Sequence, residues 1–302
     1  MRIALTGASG FIGSEIAKAA HAEGHSVTAL VRESSRRDHI EPFVDRFSVG
    51  EQDDPSAWTE LLESADVVIH NSTAWSWKGE LPFDRYVQSN LVGSLGLLKA
   101  SAPRPFVFMS TIGVHHDMRE RWGGVIDEDH PTRPPNAYGA YKAAVEAFLW
   151  SENAQTGRPF CAIRPCGVYG IDPKLERSMG YPIVKKVAAG QKFTRAGGGK
   201  FVHVDDVAAA TLRAVEDTEN AERVVNLVDC YARWSDWAQI ASELLGVEAE
   251  IDFSSPAQPK NQFSPDVGRS MNAGLARGLN GIRDHLNELI PLIRDAGELQ
   301  TR

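Results

Sequence analysis

Cysteine is scarce in this 302-residue chain: there are three, Cys161, Cys166 and Cys230, and their spacing is not that of metal ligands. So sparse and odd a count excludes a disulfide framework and fits a reducing cytosol. A basic excess is also missing, with 32 Lys and Arg against 40 Asp and Glu, a formal net charge of −8. That balance argues against nucleic acid or an anionic membrane as the main partner. No apolar run approaches the ~20 residues that cross a bilayer. Met1 and Arg2 lead straight into Ile3-Ala4-Leu5, so a secretory leader is not expected. A cytoplasmic location is expected. His115 and His116 are adjacent and point apart, so they do not form a two-histidine metal site. Repeats, low-complexity tracts, a P-loop and a serine-hydrolase elbow are absent as well.

What remains is an ordinary globular composition, 42% hydrophobic and 24% charged, in a length that suits one large or two modest domains. Short apolar runs at 2–6, 26–31, 66–70, 105–110, 160–165 and 224–228 read as strands. They are near-continuous rather than alternating, as strands covered on both faces are. Helices are expected at 11–23, 55–64, 82–102 and 137–155. Such alternation predicts an α/β fold with a doubly wound parallel sheet. Regular alternation stops near residue 170. The stretch 201–215 then reads as a strand end running into a helix, with Asp205 or Asp206 near the N-cap.

The segment Ala4-Leu5-Thr6-Gly7-Ala8-Ser9-Gly10-Phe11-Ile12-Gly13 sets glycines three apart at a strand-to-helix junction. Glycine there lets the backbone turn sharply, approach a pyrophosphate and present a helix N-terminus to it. The spacing is GxxGxxG rather than the GxGxxG of the standard fingerprint. An acidic residue some 20 positions on marks a 2′-hydroxyl ribose site. The second strand instead runs into Arg32, with Arg36 and Arg37 behind it. Guanidinium groups suit a phosphate, which favours NADP(H) over NAD(H).

Further along, Tyr138 and Lys142 stand four apart at a helix start and so share a face. A cation beside a phenol lowers the phenol pKa toward the range useful for proton transfer. Ser110 and Thr111 close the strand at 105–110, at the end where parallel sheets bind ligands.

Together the segments TGASGFIG, DVVIHNST, YVQSNLVGSLGLLKA, FVFMSTIGVHH, IDEDHP, YGAYK, IRPCGVYG and FVHVDDVA resemble the extended short-chain dehydrogenase/reductase family, in its epimerase/dehydratase branch. The resemblance covers residues 3 to about 210. It implies a Rossmann sheet of about seven strands over 1–170, with 201–228 returning to it. The smaller substrate lobe would be built from 171–200 and 229–302. It implies a catalytic Thr111, Tyr138 and Lys142, with the hydroxyl on Thr111 rather than Ser110. The coenzyme would be held by Gly7, Gly10, Phe11, Ile12, Gly13, Arg32, Arg36, Tyr138, Lys142 and Pro165. Asn90 is expected to order the site, and helices 82–102 and 137–155 to pair in a homodimer.

The sequence also departs from nucleotide-sugar members of that family. Gly167 stands where they carry asparagine, and Gly199-Lys200 where they carry a diphosphate-gripping arginine. Trp75 and Trp77 sit on a loop near the expected pocket mouth, where an aromatic face can stack on a flat or sugar-like substrate. Substrate contacts are therefore expected from Trp75, Asn90, Thr111 and Gly167. These departures resemble the reductase side of the family. The expected activity is NADP(H)-dependent hydride transfer to or from a small carbonyl or secondary alcohol substrate. The alternatives are a nucleotide-sugar epimerase or dehydratase, and a non-catalytic NADP(H)-binding sensor.

Overall fold

The computed structural model describes residues 1–75, 81–115, 123–217, 223–271 and 275–299. Trp77 and His116 lie outside them.

The chain opens with β1 (Arg2–Thr6), α1 (Phe11–Ala22), β2 (Ser26–Val31), β3 (Arg46–Val49), α2 (Pro55–Leu62) and β4 (Val67–His70). A continuous helical stretch follows: α3 (Phe83–Val87), a π turn (Gln88–Val92) and α4 (Gly93–Ala100). Then come β5 (Phe106–Met109), β6 (Val125–Ile126), α5 (Ala137–Thr156), β7 (Phe160–Pro165), β8 (Gly167–Tyr169) and α6 (Tyr181–Ala188). The last third holds β9 (Gly198–His203), α7 (Val204–Glu216), β10 (Val224–Leu227), β11 (Cys230–Arg233), α8 (Trp234–Leu245), β12 (Gln262–Phe263), α9 (Asp266–Met271) and α10 (Gly278–Asp295).

Seven strands form the central sheet in the order β10-β7-β5-β4-β1-β2-β3. Every pairing is parallel. Chain order reverses between β1 and β4, the switch point at which an open α/β sheet leaves a ligand crevice beyond its carboxyl ends. β4, β5, β7 and β10 are buried along their whole length, as near-continuous apolar strands should be in a two-sided layer. One face packs Ile16, Ala17 and Ala20 of α1 with Val207, Leu212 and Val215 of α7. The other packs Leu61, Leu97, Val145 and Leu149 from α2, α4 and α5.

Three expectations change. β3 is a seventh strand not separately read: it is four residues long, on the edge, with one buried position. The helix expected over 82–102 is broken by the π turn, where Ser94 Oγ donates to the Asn90 carbonyl at 2.5 Å. The cap of α7 is His203, whose ring accepts from the Asp205 N–H, while Asp205 and Asp206 fall in the first turn. Asp206 is buried instead against Arg277, at 2.7 and 3.0 Å.

A second core stands beyond the crevice. The sheet β11-β9-β8 carries Tyr169 and Phe201, and these meet Trp237 of α8 and Leu286 and Leu289 of α10. Asp206–Arg277 ties α7 of the first core to the residue preceding α10 of the second. Asp229 adds a contact by accepting from the Gly278 N–H. No helix among the described residues is long and apolar enough to cross a membrane.

Candidate active site

The glycine loop lies at the crevice floor. Gly7 has φ +72°, which glycine adopts at no steric cost, and its carbonyl accepts from Gly10 N–H at 3.1 Å. A Cβ on Gly13 would sit 2.0 Å from the Gly7 carbonyl oxygen, so loop and helix are in van der Waals contact there. Gly10 is the N-cap of α1 and supplies no side-chain cap, and the first turn carries no acid. The positive end of a 12-residue helix therefore faces the crevice without a competing anion. Phe11 and Ile12 begin that helix. This backbone fits the diphosphate of a dinucleotide.

The ribose end is less closed. Arg32 follows β2 with its side chain exposed and its backbone N–H on Ser35 Oγ. Arg36 is bidentate to Asp38 on the surface, and Arg37 lies over the Phe47 ring.

The carboxyl ends of β4 and β5 bring the chemical groups together. Thr111 follows β5 and accepts from the Gly113 N–H at 3.0 Å, so its hydroxyl hydrogen is directed elsewhere. It is hydrogen-bonded to Tyr138, at the start of α5. Asn136 caps that helix by accepting from the Gly139 N–H. Ser110 points the other way, its hydroxyl donating to Glu146 in the interior. Lys142 is 1% exposed; its Nζ donates to the Met109 carbonyl at 2.5 Å and stands 5.8 Å from the Tyr138 ring centroid.

The phenol pKa runs against expectation. Burial pushes Tyr138 up to about 12, and the Thr111 hydrogen bond offsets only part of that. Burial likewise pulls Lys142 down to about 7, while Glu146 holds it up. Desolvation by burial is the largest influence on the phenol and outweighs any help from a neighbouring charge. Tyr141, the other phenol of this helix, is buried and hydrogen-bonded to Thr73 Oγ1 at 2.7 Å.

Asn90 reaches the site from the π turn, a helix defect frequent at functional sites. Its amide clasps the backbone of Ala74 from both sides, accepting from N–H at 2.8 Å and donating to C=O at 3.0 Å. That clasp fixes the segment carrying Trp75. His70, which sequence reasoning did not single out, holds the same segment from below. Burial lowers it to about 3, so it is a neutral imidazole. Ser94 gives its proton to the Asn90 carbonyl and must accept from His70 Nε2; Nδ1 then accepts from Thr6 Oγ1. Thr6 Oγ1 in turn receives the Asn71 and Ser72 N–H groups. One directed chain thus joins β1, β4 and the π turn.

Pro165 ends β7 at the same level, and Gly167 opens β8. A Cβ at Gly167 would lie 2.9 Å from the Lys200 carbonyl oxygen, so this position admits no side chain without moving backbone.

With this geometry in hand, comparison with known proteins is decisive about class. Residues 3–227 match the NAD dependent epimerase/dehydratase family, and the chain belongs to that family. It is an enzyme of the dehydrogenase/reductase or epimerase/dehydratase type, an oxidoreductase that uses a nicotinamide coenzyme. A 3-diazoavenalumate denitrifying reductase from Streptomyces is 28% identical over 226 residues, 72% of each chain. A UDP-glucose 4-epimerase from Mycolicibacterium smegmatis is 31% identical over 238 residues, covering 71% of this chain and 73% of that one. The NAD complex of Thermus thermophilus UDP-glucose 4-epimerase shares the fold, with a TM-score of 0.77 over 96% of this chain and 99% of that one at 23% identity.

Proposed function

We propose that this enzyme is an NADP(H)-dependent reductase acting on a small carbonyl compound, with Tyr138 as its proton donor. The observation that carries the reading is the convergence of Thr111, Tyr138 and Lys142 at the carboxyl ends of the sheet, beside an uncapped glycine loop. The loop and α1 would hold the coenzyme diphosphate through backbone N–H groups, and the exposed Arg32 would meet a 2′-phosphate. The coenzyme, when bound, supplies the hydride. Thr111 and Tyr138 hydrogen-bond the substrate oxygen from one side. A phenol near 12 is protonated at neutral pH and gives its proton to the alkoxide that forms, as a general acid does. Lys142 stabilises the phenolate left behind and would hydrogen-bond the coenzyme's nicotinamide ribose, while Pro165 would line the nicotinamide pocket.

Gly167 supports a reductase over a nucleotide-sugar enzyme, since the close Lys200 carbonyl leaves no room there for a side-chain amide. The smaller sheet and its helices form the substrate lobe, and Trp75 forms the mouth, while Asn90, buried under the Ala74 backbone, holds that segment rather than meeting substrate. Similarity to the Mycolicibacterium epimerase favours a second reading, in which hydride is returned to a UDP-sugar and no net redox change occurs. A homodimer through the outer faces of α3–α4 and α5 is part of the proposal; Val92 and Phe148 are exposed there, at 47% and 54%.

Coenzyme consumption with a panel of aldehydes, ketones and UDP-sugars tests the reading. Steady NADPH oxidation with a ketone is expected. Sugar interconversion at constant absorbance would replace it with the second reading, and coenzyme binding without any turnover would leave a sensor.

A further inference from the structure

Lys142 has a problem that its role makes acute. An ammonium 1% exposed has lost its water and needs a counter-charge held in place. The groups around it supply little. From α5 come the phenols of Tyr138 and Tyr141, both kept protonated by burial. From β4 comes His70, neutral in its chain between Thr6 and Ser94. β5 offers the Phe108 ring at 4.6 Å and the Met109 carbonyl. From β7 comes Arg164, itself a cation.

Glu146 answers the need. It lies one helical turn beyond Lys142, on the same face of α5, and is 2% exposed. Arg164 grips both carboxylate oxygens, with Nε at 3.0 and 3.2 Å and Nη2 at 2.5 Å. Ser110 donates to Oε1, and Ser110 follows Met109, whose carbonyl receives Lys142 Nζ. Ser110 and Met109 thus tie the carboxylate and the ammonium to consecutive residues at the end of one strand. Arg164 is itself anchored, with Nη1 donating to His115 Nε2 at 2.9 Å and to the Glu128 carbonyl at 3.4 Å.

We propose that Glu146 is a positioning residue of the reaction: clamped by Arg164 and Ser110, it keeps the buried Lys142 an ammonium. This rests on the reading of Lys142 given above, but it is tested without turnover. A merely structural Glu–Arg pair can be replaced by neutral groups with no consequence for a neighbouring lysine. A positioning Glu146 cannot, because removing the negative charge leaves desolvation unopposed.

The experiment is a titration of the unliganded protein carrying 13Cε-labelled lysine, followed by NMR, with the Lys142 signal identified by its loss in Lys142→Arg. Glu146→Gln leaves Arg164 bare and risks misfolding, so the double variant Glu146→Gln/Arg164→Met is titrated beside it. Glu146→Gln should lower the Lys142 midpoint by about one pH unit or more, and the double variant should lie a similar amount below Arg164→Met, which lacks the same guanidinium but keeps the carboxylate. Glu146→Asp, which keeps the charge, should retain most of the original midpoint. Equal midpoints in the double variant and Arg164→Met overturn the proposal, as does an equal drop in Glu146→Asp. If no carbonyl is ever turned over, the NMR result still decides the role of Glu146, and only the proposed reaction falls.

Discussion

Trp75 lies flat against Tyr138, their ring centroids 4.8 Å apart and their planes 28° from parallel, while the indole remains 54% exposed. One face of the indole therefore dries the phenol while the rest meets solvent. Trp75→Ala should bring Tyr138 down from about 12 toward its ordinary 10 and raise KM for a flat substrate severalfold. Ultraviolet titration of tyrosinate reads the first effect. No change in it would mean that the burial comes from elsewhere.

Tyr138→Phe deletes one oxygen and leaves the stack and the coenzyme loop intact. Loss of a positioned proton donor costs about 10²–10⁴-fold in rate. The variant should show that loss in kcat with coenzyme Kd unaltered. Full activity would remove Tyr138 from the mechanism.

Arg32→Ala should weaken NADPH about tenfold, the scale of one charge-assisted hydrogen bond, and leave NADH untouched. Arg36→Ala should do much less, because its guanidinium already serves Asp38. Paired fluorescence titrations with the two coenzymes measure both. An equal loss for NADH and NADPH in Arg32→Ala would refute a phosphate contact.

Gly13→Ala forces a Cβ to within 2.0 Å of the Gly7 carbonyl oxygen. Backbone must move, so a loss of about 1–3 kcal/mol in stability is expected, as for an overpacked core. Coenzyme binding should be lost with it. Gly10→Ala, at a negative φ and with nothing nearer its Cβ than 3.4 Å, is the unpacked control on the same loop. Equal urea midpoints for the two variants would contradict the packing argument.

Acid should unfold this protein through its histidines. Burial holds His70 and His115 near 3 and His285 near 4. Unfolding returns each to an ordinary value near 6.5. The unfolded chain then binds more protons across that window, so stability rises with pH within it and is lost as pH falls. At pH 5 each histidine should account for about 2 kcal/mol. Lys142 continues the slope above neutrality, being held near 7 against 10.5 when unfolded. Unfolding free energies from urea at pH 5, 7 and 9 should increase in that order; a flat profile would show that these groups are not dry.

Much of this was legible in the residues, and the reasons are local. β1, β2 and β7 are runs of apolar residues with turn signals at both ends, and each keeps its expected bounds. The loop from Gly7 to Gly13 was legible because a positive φ and a backbone contact leave glycine little alternative. The π turn was not, since its register is set by Ser94, Gln52 and the Ala74 backbone, which come from elsewhere in the fold. The Ser110–Glu146–Arg164 cluster was equally silent, because buried charges leave no periodic signature. The direction of the Tyr138 shift was missed for a related reason: spacing reveals a neighbouring cation but not how dry the pair becomes.

The bond between Asp206 and Arg277 has a consequence for motion. One partner is sealed from solvent while the other is partly wet, and together they bolt α7 of the first core to the start of α10 of the second. Swinging those cores apart would strand a bare carboxylate, at a cost of several kcal/mol. A rigid-body parting of the two cores about this point is therefore disfavoured.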